Sequence, residues 1–400
     1  MSNFTHASIV PLVGGETLAM EAAFGKKPEY MLSYPPFANN DQHIVAHYGE
    51  SVPYHVIAEG TDLSELEHVD VVSTVCPCAG LSSLSISANS DAVANDWMYT
   101  TAEHVLGTMQ PEVFWGENSP NLAGKWGKPV VAKLRKIADA HGYTFSIYRT
   151  RSLMHGLPQI RNRVFYFFWK GDKIPVLNWF DRPLETFTEL VTGVERREDD
   201  PMNVLMQDKI PSEDPWYRYI LEELHGGITH KEFREKHLKK STCVYLYIES
   251  MVDSYLDLIP FFEANDFPKQ AAACVRQAEK LAAGGNIMRR GIDLPKDFGG
   301  AFVGHLPKWT AHPTEDRFLT LRECASLMKL PNDFVIQGGM KNANHICQNV
   351  PVSTATDVAG EIVRYLNGEL ETIDASYVIQ YNTKQEFYIE REDASLAAFL

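Results

Sequence analysis

Several features are scarce or absent in this chain of 400 residues, and each omission excludes a class of protein. No apolar run reaches the roughly 18 residues that a membrane-spanning helix requires, so we expect no membrane contact. The N-terminus lacks the basic and then apolar pattern of a secretory signal, which favours a cytoplasmic location. Of six cysteines, only Cys76 and Cys78 are near neighbours, so no paired zinc-binding spacing exists and we expect no metal. The formal net charge of −15 disfavours non-specific coating of nucleic acid, although a local basic site remains compatible with it.

Short apolar runs alternate with helical patterns over the first 170 residues. Residues 8–13, 68–75 and 143–149 are typical strands, and residues 130–141 have the spacing of an amphipathic helix. This alternation predicts an α/β fold with a doubly wound, mostly parallel sheet.

The alternation stops after residue 170, where the chain becomes polar and prolines recur. We therefore expect a catalytic and cofactor-binding domain in residues 1–170 and a second, smaller domain in residues 171–316. Residues 317–400 are expected to return to the first domain. Their last part, residues 377–400, is expected to form a small appendage without an assigned role.

A thiol follows the buried strand at 68–75, in the stretch Cys76-Pro77-Cys78-Ala79-Gly80-Leu81-Ser82. In open α/β sheets, ligands bind at the carboxyl ends of the strands, so Cys78 is a candidate nucleophile. In isolation, Cys78 is equally well explained as a small buried hydrophobic residue. Cys76 is best explained as a packing residue that precedes the loop.

Two more stretches follow in order, and together with the thiol loop they resemble a known family. Pro77–Ser82, Glu117–Ser119 and Gln159–Arg163 are similar to the Pro-Cys-x-x-x-Ser, Glu-Asn-Val and Gln-x-Arg-x-Arg signatures of DNA (cytosine-5)-methyltransferases. Residues 317–334 and 345–355 are similar to the ninth and tenth motifs of that family. The resemblance implies the fold of S-adenosylmethionine-dependent methyltransferases, and it makes the second domain a target-recognition domain.

The resemblance assigns four catalytic residues. Cys78 would add to C6 of cytosine and so make C5 nucleophilic toward a methyl group. Glu117 would bind or protonate N3, for which a raised pKa would keep its carboxyl protonated. Arg161 and Arg163 would hold the pyrimidine O2 and orient the site. Taken alone, each arginine would be interpreted as a surface ion-pair residue.

The implied substrate is double-stranded DNA, from which the target cytosine must be flipped out. The expected DNA contacts are Ser82, Asn118, Gln159, Arg289 and Arg290. The basic run at residues 231–240 is more typical of a solvated helix face. The DNA sequence that is recognised cannot be deduced from these residues.

The implied methyl donor is S-adenosylmethionine, but the donor motifs depart from the family pattern. The first motif, Phe-x-Gly-x-Gly-Gly, is Val10-Pro11-Leu12-Val13-Gly14-Gly15 in this chain, so one glycine is lost. Ser33 stands where the family has an acid for the ribose hydroxyls, and Gln348 replaces an asparagine. The expected donor-binding residues are Val13, Gly14, Gly15, Ser33, Tyr34, Asp62, Leu63, Pro77, Gln348 and Asn349.

These departures leave three hypotheses open about the donor pocket. It binds S-adenosylmethionine through substitute contacts, it binds a modified form such as carboxylated S-adenosylmethionine and transfers a larger group, or the protein only binds DNA. Action on free nucleotides by the same thiol addition would not explain the long second domain. The leading hypothesis is methylation of cytosine C5 by a bacterial or phage-encoded monomer. A cognate restriction or DNA-modification system as partner remains open.

Overall fold

The structure, a computed structural model, describes residues 3–77, 80–82, 89–289, 291–302, 306–382 and 387–391. Two compact units make up the chain. The first comprises Met1–Leu184, Met328–Gln337 and His345–Leu400, and the second comprises Glu185–Leu327 and Gly338–Asn344. We expected domain limits at residues 170 and 316. The compact units instead meet after residues 184 and 327, which is later in the chain at both places.

A sheet of nine strands forms the framework of the first unit. In chain order the strands are β1 (His6–Ile9), β2 (Met31–Ser33), β3 (Tyr54–Val56), β4 (Val71–Thr74), β5 (Val113–Asn118), β6 (Tyr143–Arg151), β7 (Asn162–Lys170), β8 (Tyr377–Asn382) and β9 (Phe387–Arg391). Their spatial order is β3-β2-β1-β4-β5-β7-β6-β8-β9. β7 runs antiparallel to both neighbours and β9 to β8, whereas every other pair is parallel. The mostly parallel sheet predicted from the sequence is confirmed.

Five helices belong to the same unit, and they alternate with the strands as predicted. They are α1 (Gly15–Phe24), α2 (Ala38–Tyr48), α3 (Asp96–His104), α4 (Lys128–Ala140) and α5 (Val352–Leu366). A π-helical turn, Val105–Met109, extends α3, and short 3-10 turns lie at Gly49–Ser51, Val93–Asn95, Pro120–Ala123 and Ser152–Met154. Lys173–Pro175 pairs with Thr372–Asp374, and Gln159–Ile160 is a short strand. In the described part of the chain, no helix is both long and apolar enough to cross a membrane.

The order of the strands determines where a site can form. β1 lies between β2 and β4, so the chain leaves β1 toward one side of the sheet and returns on the other side. Such a switch point opens a crevice at the carboxyl ends of parallel strands, which is the usual place for ligands in open α/β sheets. The strand β4 is buried at all of its positions, as its apolar, β-branched sequence predicts.

The C-terminal residues differ from the expected appendage, because β8 and β9 extend the central sheet. β8 pairs in parallel with β6, and its side chains Val378, Ile379 and Tyr381 are buried. The polar Gln380 is also fully buried, which is possible because its amide accepts from Leu177 N and donates to Pro175 O, both at 2.9 Å. Because both polar groups of this amide are hydrogen-bonded, it can be buried within a strand.

The second unit is built from short helices around an aromatic core that includes Trp216, Tyr217, Phe233, Phe261 and Phe262. Its helical segments are Phe187–Thr192, Pro211–Glu213, Pro215–Tyr219, Ile220–Leu224, His230–Lys236, Val244–Glu249, Tyr255–Leu258, Ile259–Ala264, Pro268–Ala282, Leu306–Trp309 and Leu321–Ser326. Two-residue strands lie at Thr242–Cys243, Asp293–Leu294 and Gly299–Gly300, and the 3-10 segment Gly339–Gln348 has residues in both units.

We predict that Gln380→Leu lowers the free energy of unfolding by about 2–4 kcal/mol, because it leaves a buried N–H and a buried carbonyl unpaired. Urea denaturation monitored by circular dichroism measures the change. The control is Gln42→Leu at an exposed position of α2, which should alter stability by less than about 0.5 kcal/mol. Equal stabilities of the two variants would contradict an integral role for β8.

Candidate active site at the carboxyl edge of the sheet

The predicted site residues follow the ends of neighbouring strands at one edge of the sheet. The glycine turn follows β1, Ser33 ends β2, and Pro77 lies just beyond β4. Glu117 lies near the end of β5, and the antiparallel β7 begins at this edge and carries Arg163. Sequence motifs that are far apart in the chain are therefore brought to one crevice.

The glycine turn is closed by a side chain from the tenth motif. Gly14 begins α1 with a φ of 95°, a left-handed conformation that glycine adopts without strain. The Gly15 N–H donates to Asn349 Oδ1 at 2.8 Å. A Cβ on Gly15 would lie 2.3 Å from that oxygen, so only glycine fits at this position.

The loop before this turn has a left-handed backbone conformation at the position where the family motif has glycine. Leu12, at the position of the missing glycine, has a φ of 50°. Its N–H donates to Asp41 Oδ1 at 2.8 Å, and the other oxygen of Asp41 accepts from the Tyr54 hydroxyl at 2.9 Å. Burial raises the pKa of Asp41 to about 6. A carboxylate from α2 thus supports a backbone conformation that leucine rarely adopts.

Arg161 lies inside the protein, where it holds the tenth motif. Its side chain is 1% exposed, and Nη2 donates to Cys347 O at 3.0 Å and to Asn349 O at 2.6 Å. These bonds fix the backbone of the residue whose amide closes the glycine turn. Contact of Arg161 with the pyrimidine O2 stays a prediction, and the observed bonds give it a positioning role.

Glu117 and Arg163 form an ion pair between Glu117 Oε1 and Arg163 Nε. The carboxylate is almost fully buried, whereas the Arg163 side chain is 19% exposed. Arg163 Nη1 also donates to the carbonyl of Asn162 at 2.8 Å. The guanidinium therefore orients the one carboxyl group that the sequence predicted to contact cytosine N3.

Cys78 lies outside the described residues, but Gly80 and Leu81 further along the loop contact the segment that follows β5 and the turn that precedes α3. Leu81 O accepts from Ser119 Oγ at 2.9 Å and from Asn121 Nδ2 at 2.8 Å. A Cβ on Gly80 would lie 2.2 Å from Asn95 Oδ1, so the loop packs closely there. Ser82 is half-buried. The Glu-Asn-Ser motif thus supports the nucleophile loop as well as carrying Glu117.

Cys76 is a packing residue, as the sequence suggested. It is buried, and its sulfur lies 3.5 Å from Thr74 Oγ1 and 3.7 Å from Thr101 Oγ1. Burial raises the pKa of this thiol, which keeps it protonated and unreactive.

The other predicted donor-binding residues differ in how far they are buried. Four of them are buried, namely Val13, Ser33, Tyr34 and Leu63. Tyr34 bonds His104 Nδ1 through its hydroxyl at 2.8 Å and packs on Trp97. Asp62 and Gln348 are exposed and Pro77 is half-buried. The Asp62 carboxylate accepts from Ser64 N at 3.0 Å, which lowers its pKa.

Three predicted DNA contacts are engaged within the protein. Asn118 and Gln159 are buried, with amide nitrogens 3.3 Å from Met98 Sδ and 3.4 Å from Met328 Sδ. Arg289 donates from Nε to both carboxylate oxygens of Glu249, at 2.8 and 2.7 Å. Arg290 lies outside the described residues. The assignment of these residues to DNA stays a prediction.

Two acids at this edge were missed by the sequence reasoning. These are Asp41 on α2 and Glu16 on α1, neither of which belongs to a motif of the family resemblance. Glu16 is 1% exposed and lies in the first turn of α1. The sequence signal for Glu16 is its position directly after Gly14-Gly15, in the turn predicted to bind the donor. No group of three or more metal-ligating side chains occurs among the residues described.

Unpartnered polar atoms at the glycine turn show which kind of ligand the predicted donor site could hold. Among the described residues, Asn349 Nδ2 and both Glu16 carboxylate oxygens are buried without a hydrogen-bond partner. A ligand that carries both acceptors and cationic or donor groups would satisfy them. The methionine part of S-adenosylmethionine has a carboxylate, an ammonium and a sulfonium, so the residues present fit this donor.

The mostly parallel sheet, its glycine turn and the Glu117–Arg163 ion pair are those of an α/β protein with a ligand crevice at the carboxyl edge of the sheet. A sequence model of the C-5 cytosine-specific DNA methylase family matches residues 5–364, and the chain belongs to that family. A putative type II methyltransferase of Methanocaldococcus jannaschii is 46% identical over 56 residues, which is 14% of this chain and 18% of that protein. The chain thus matches less than a fifth of the length of this relative.

Solved structures share the fold at low identity. A putative DNA modification methyltransferase encoded within a prophage of E. coli has a TM-score of 0.55 and 15% identity, with 91% of this chain and 100% of that chain covered. The Entamoeba histolytica methyltransferase EhMeth has a TM-score of 0.51 and 11% identity, with coverages of 92% and 99%. These likenesses confirm the methyltransferase fold.

We predict that Asp41→Asn changes the pH dependence of stability. Because the pKa of Asp41 is raised from its usual 3.8 to about 6, its contribution to stability is complete below pH 4 and is lost as the pH rises through 6. The difference in unfolding free energy, variant minus wild type, should therefore rise by about 2 kcal/mol from pH 4 to pH 7. Urea titrations at both pH values measure it, and a constant difference would contradict the prediction.

We also predict that Gly15→Ala destabilises the protein by about 2–4 kcal/mol, because a Cβ would push Asn349 from the turn. Gly360→Ala is the matched control, since a Cβ on this glycine of α5 meets nothing within 4 Å. The control should gain about 0.5–1 kcal/mol from helix propensity. Thermal unfolding compares the two, and a neutral Gly15→Ala would refute close packing at the turn.

Proposed function

We propose that this chain transfers a methyl group from S-adenosylmethionine to C5 of a flipped cytosine in double-stranded DNA. Membership of the C-5 cytosine-specific DNA methylase family supports the reaction class. The observation that carries the proposal is the convergence of Glu117, Arg163 and the anchored nucleophile loop at one crevice.

The thiolate of Cys78 begins the reaction by forming a bond to C6 of the cytosine. The π pair of the C5–C6 bond shifts into the C4–C5 bond, and the π pair of the C4–N3 bond moves onto N3, where Glu117 binds the ring and supplies a proton. The new C4–C5 double bond is an enamine whose π pair makes C5 nucleophilic. Bound S-adenosylmethionine supplies the electrophilic methyl group that C5 accepts.

The last steps restore both the aromatic ring and the enzyme. A base removes the proton from C5, the electron pair re-forms the C5–C6 bond, and Cys78 leaves C6 as a thiolate. The proton on N3 returns to Glu117. The cysteine is thus consumed and released in each turnover, as in other covalent catalysis.

The arginines and the glycine turn position these groups. Arg163 holds the Glu117 carboxyl through their ion pair, and Arg161 holds the loop of Asn349. The Gly14-Gly15 turn, Asn349 and Asp62 are the residues proposed to bind the donor. A base within a duplex cannot reach this crevice, so the cytosine must rotate out of the helix.

We test the proposal with DNA that contains 5-fluorocytosine in place of cytosine. Fluorine cannot leave C5 as a proton does, so a covalent Cys78–DNA adduct should persist after methyl transfer. Mass spectrometry of wild-type protein with S-adenosylmethionine should detect this adduct with one added methyl group. Cys78→Ala should give none, whereas the matched control Cys76→Ala should retain it.

A second measurement identifies the transferred group. Nucleosides from the DNA of cells that express the protein should contain 5-methylcytosine by mass spectrometry. A larger mass on cytosine would favour a modified donor. Unmodified cytosine together with no adduct in wild type would leave only the DNA-binding hypothesis.

A further inference from the structure

The acid at the start of α1 is a buried carboxyl group that the proposed reaction does not use and that, unlike Asp41, has no bond to a neighbouring residue in the described part of the chain. Glu16 follows the Gly14-Gly15 turn directly and is 1% exposed. Among the described residues, no other residue supplies a hydrogen-bond partner to either of its carboxylate oxygens. A buried carboxyl without a partner costs several kcal/mol if ionised, so this arrangement needs an explanation.

Neighbouring groups in the fold are already satisfied and do not explain Glu16. The next side chain, Thr17, bonds Ser8 Oγ at 2.8 Å, and Ser8 bonds Ser73 Oγ at 2.8 Å. The adjacent Gly15 N–H is taken by Asn349. Glu16 therefore belongs to no hydrogen-bonded network among the residues that the structure describes.

The charges around Glu16 come from the residues that act on the base. The pKa of Glu16 is raised well above its usual value, first by burial and then by the charge of Glu117. Its own backbone N–H and then Arg161 and Arg163 act in the opposite direction. On β7, burial raises the pKa of Tyr166, and the charges of Glu16 and Glu117 raise it further. Burial and the charge of Glu117 both favour the neutral form of Glu16.

Glu16 thus belongs to both parts of the site, the part proposed to bind the donor and the part proposed to act on the cytosine. Its backbone belongs to the turn proposed to bind the donor, and its carboxyl group lies within electrostatic reach of Glu117, Arg161 and Arg163. In direct methyl transfer, the sulfonium of the donor must lie between these two parts, because the methyl passes straight from sulfur to C5. A carboxylate in this region would face the sulfonium.

We propose that Glu16 is a donor-specificity residue whose carboxylate pairs with the sulfonium of S-adenosylmethionine. The proposal rests on the proposed function, because it assumes that donor. Ser33 leaves the predicted donor site without the acid that the family uses to bind the ribose. Glu16 supplies an acid to the same site, but it faces the charged sulfur rather than the ribose. A carboxylated donor would place a second negative charge beside Glu16 and would be disfavoured.

Ionisation of Glu16 and binding of S-adenosylmethionine are linked, so the affinity for this donor should depend on pH. Pairing with a cation requires the ionised form of Glu16, so binding of S-adenosylmethionine releases a proton and strengthens as the pH rises. S-adenosylhomocysteine has the same adenosine, ammonium and carboxylate but a neutral sulfur. Its affinity should lack this dependence, because the charges from Glu117, Arg161, Arg163 and Tyr166 act on both ligands.

The test is calorimetric titration of the full chain with both ligands at pH 6.5 and pH 8.5. For wild type, the ratio of S-adenosylmethionine to S-adenosylhomocysteine affinity should rise with pH. In Glu16→Gln, which keeps the shape of the side chain, S-adenosylmethionine should bind about tenfold or more weakly, with S-adenosylhomocysteine nearly unchanged. Glu21→Gln on the same helix is the matched control and should behave as wild type.

The outcomes separate this inference from the proposed function. An affinity ratio independent of pH in wild type, or an equal loss of both ligands in Glu16→Gln, would overturn pairing with the sulfonium. The wild-type measurement decides the question even if the variant fails to fold. Failure of wild type to bind either ligand would overturn both the donor and the role of Glu16, while adduct formation by Cys78 would still be tested independently.

Discussion

The hydrogen bond from Gly15 N to Asn349 Oδ1 is the constraint on which the candidate site depends. It joins residues 334 positions apart and is supported by Arg161, which binds the carbonyl oxygens of Cys347 and Asn349. The same contact sets the start of α1 and so the place where Glu16 enters the crevice. Loss of any partner would expose unpaired backbone groups within the interior, where they are costly.

The loop before this turn shows how another part of the chain can support a departure from a motif. Leu12 stands where the motif has glycine and adopts a left-handed conformation, and Asp41 offsets the cost by binding the Leu12 N–H. The compensating acid comes from a different helix, so no inspection of the motif alone would find it. Departure from a glycine pattern is therefore weak evidence for a lost ligand site.

The sequence allowed prediction of much of the fold, because strand and helix periodicities are local. The capping box of Thr320 and Glu323 is an example of such a local signal, and in the structure Glu323 N donates to Thr320 Oγ1 at 3.1 Å. The strand β8 was missed since Gln380 interrupts its apolar pattern, and its partners lie 203 and 205 residues away. Glu16 and Asp41 escaped notice because their burial depends on contacts across the sheet, which no local pattern records.

The insertion of the second unit between β7 and α5 has a consequence for synthesis of the protein on the ribosome. Strands β1 to β7 leave the ribosome first, but the amide that closes the glycine turn follows only after the whole second unit has been made. Contacts of such long sequence separation form late, because the loop between them must first be closed. A nascent chain that pauses within the second unit therefore carries the cysteine loop and Glu117 without the segment that completes the crevice.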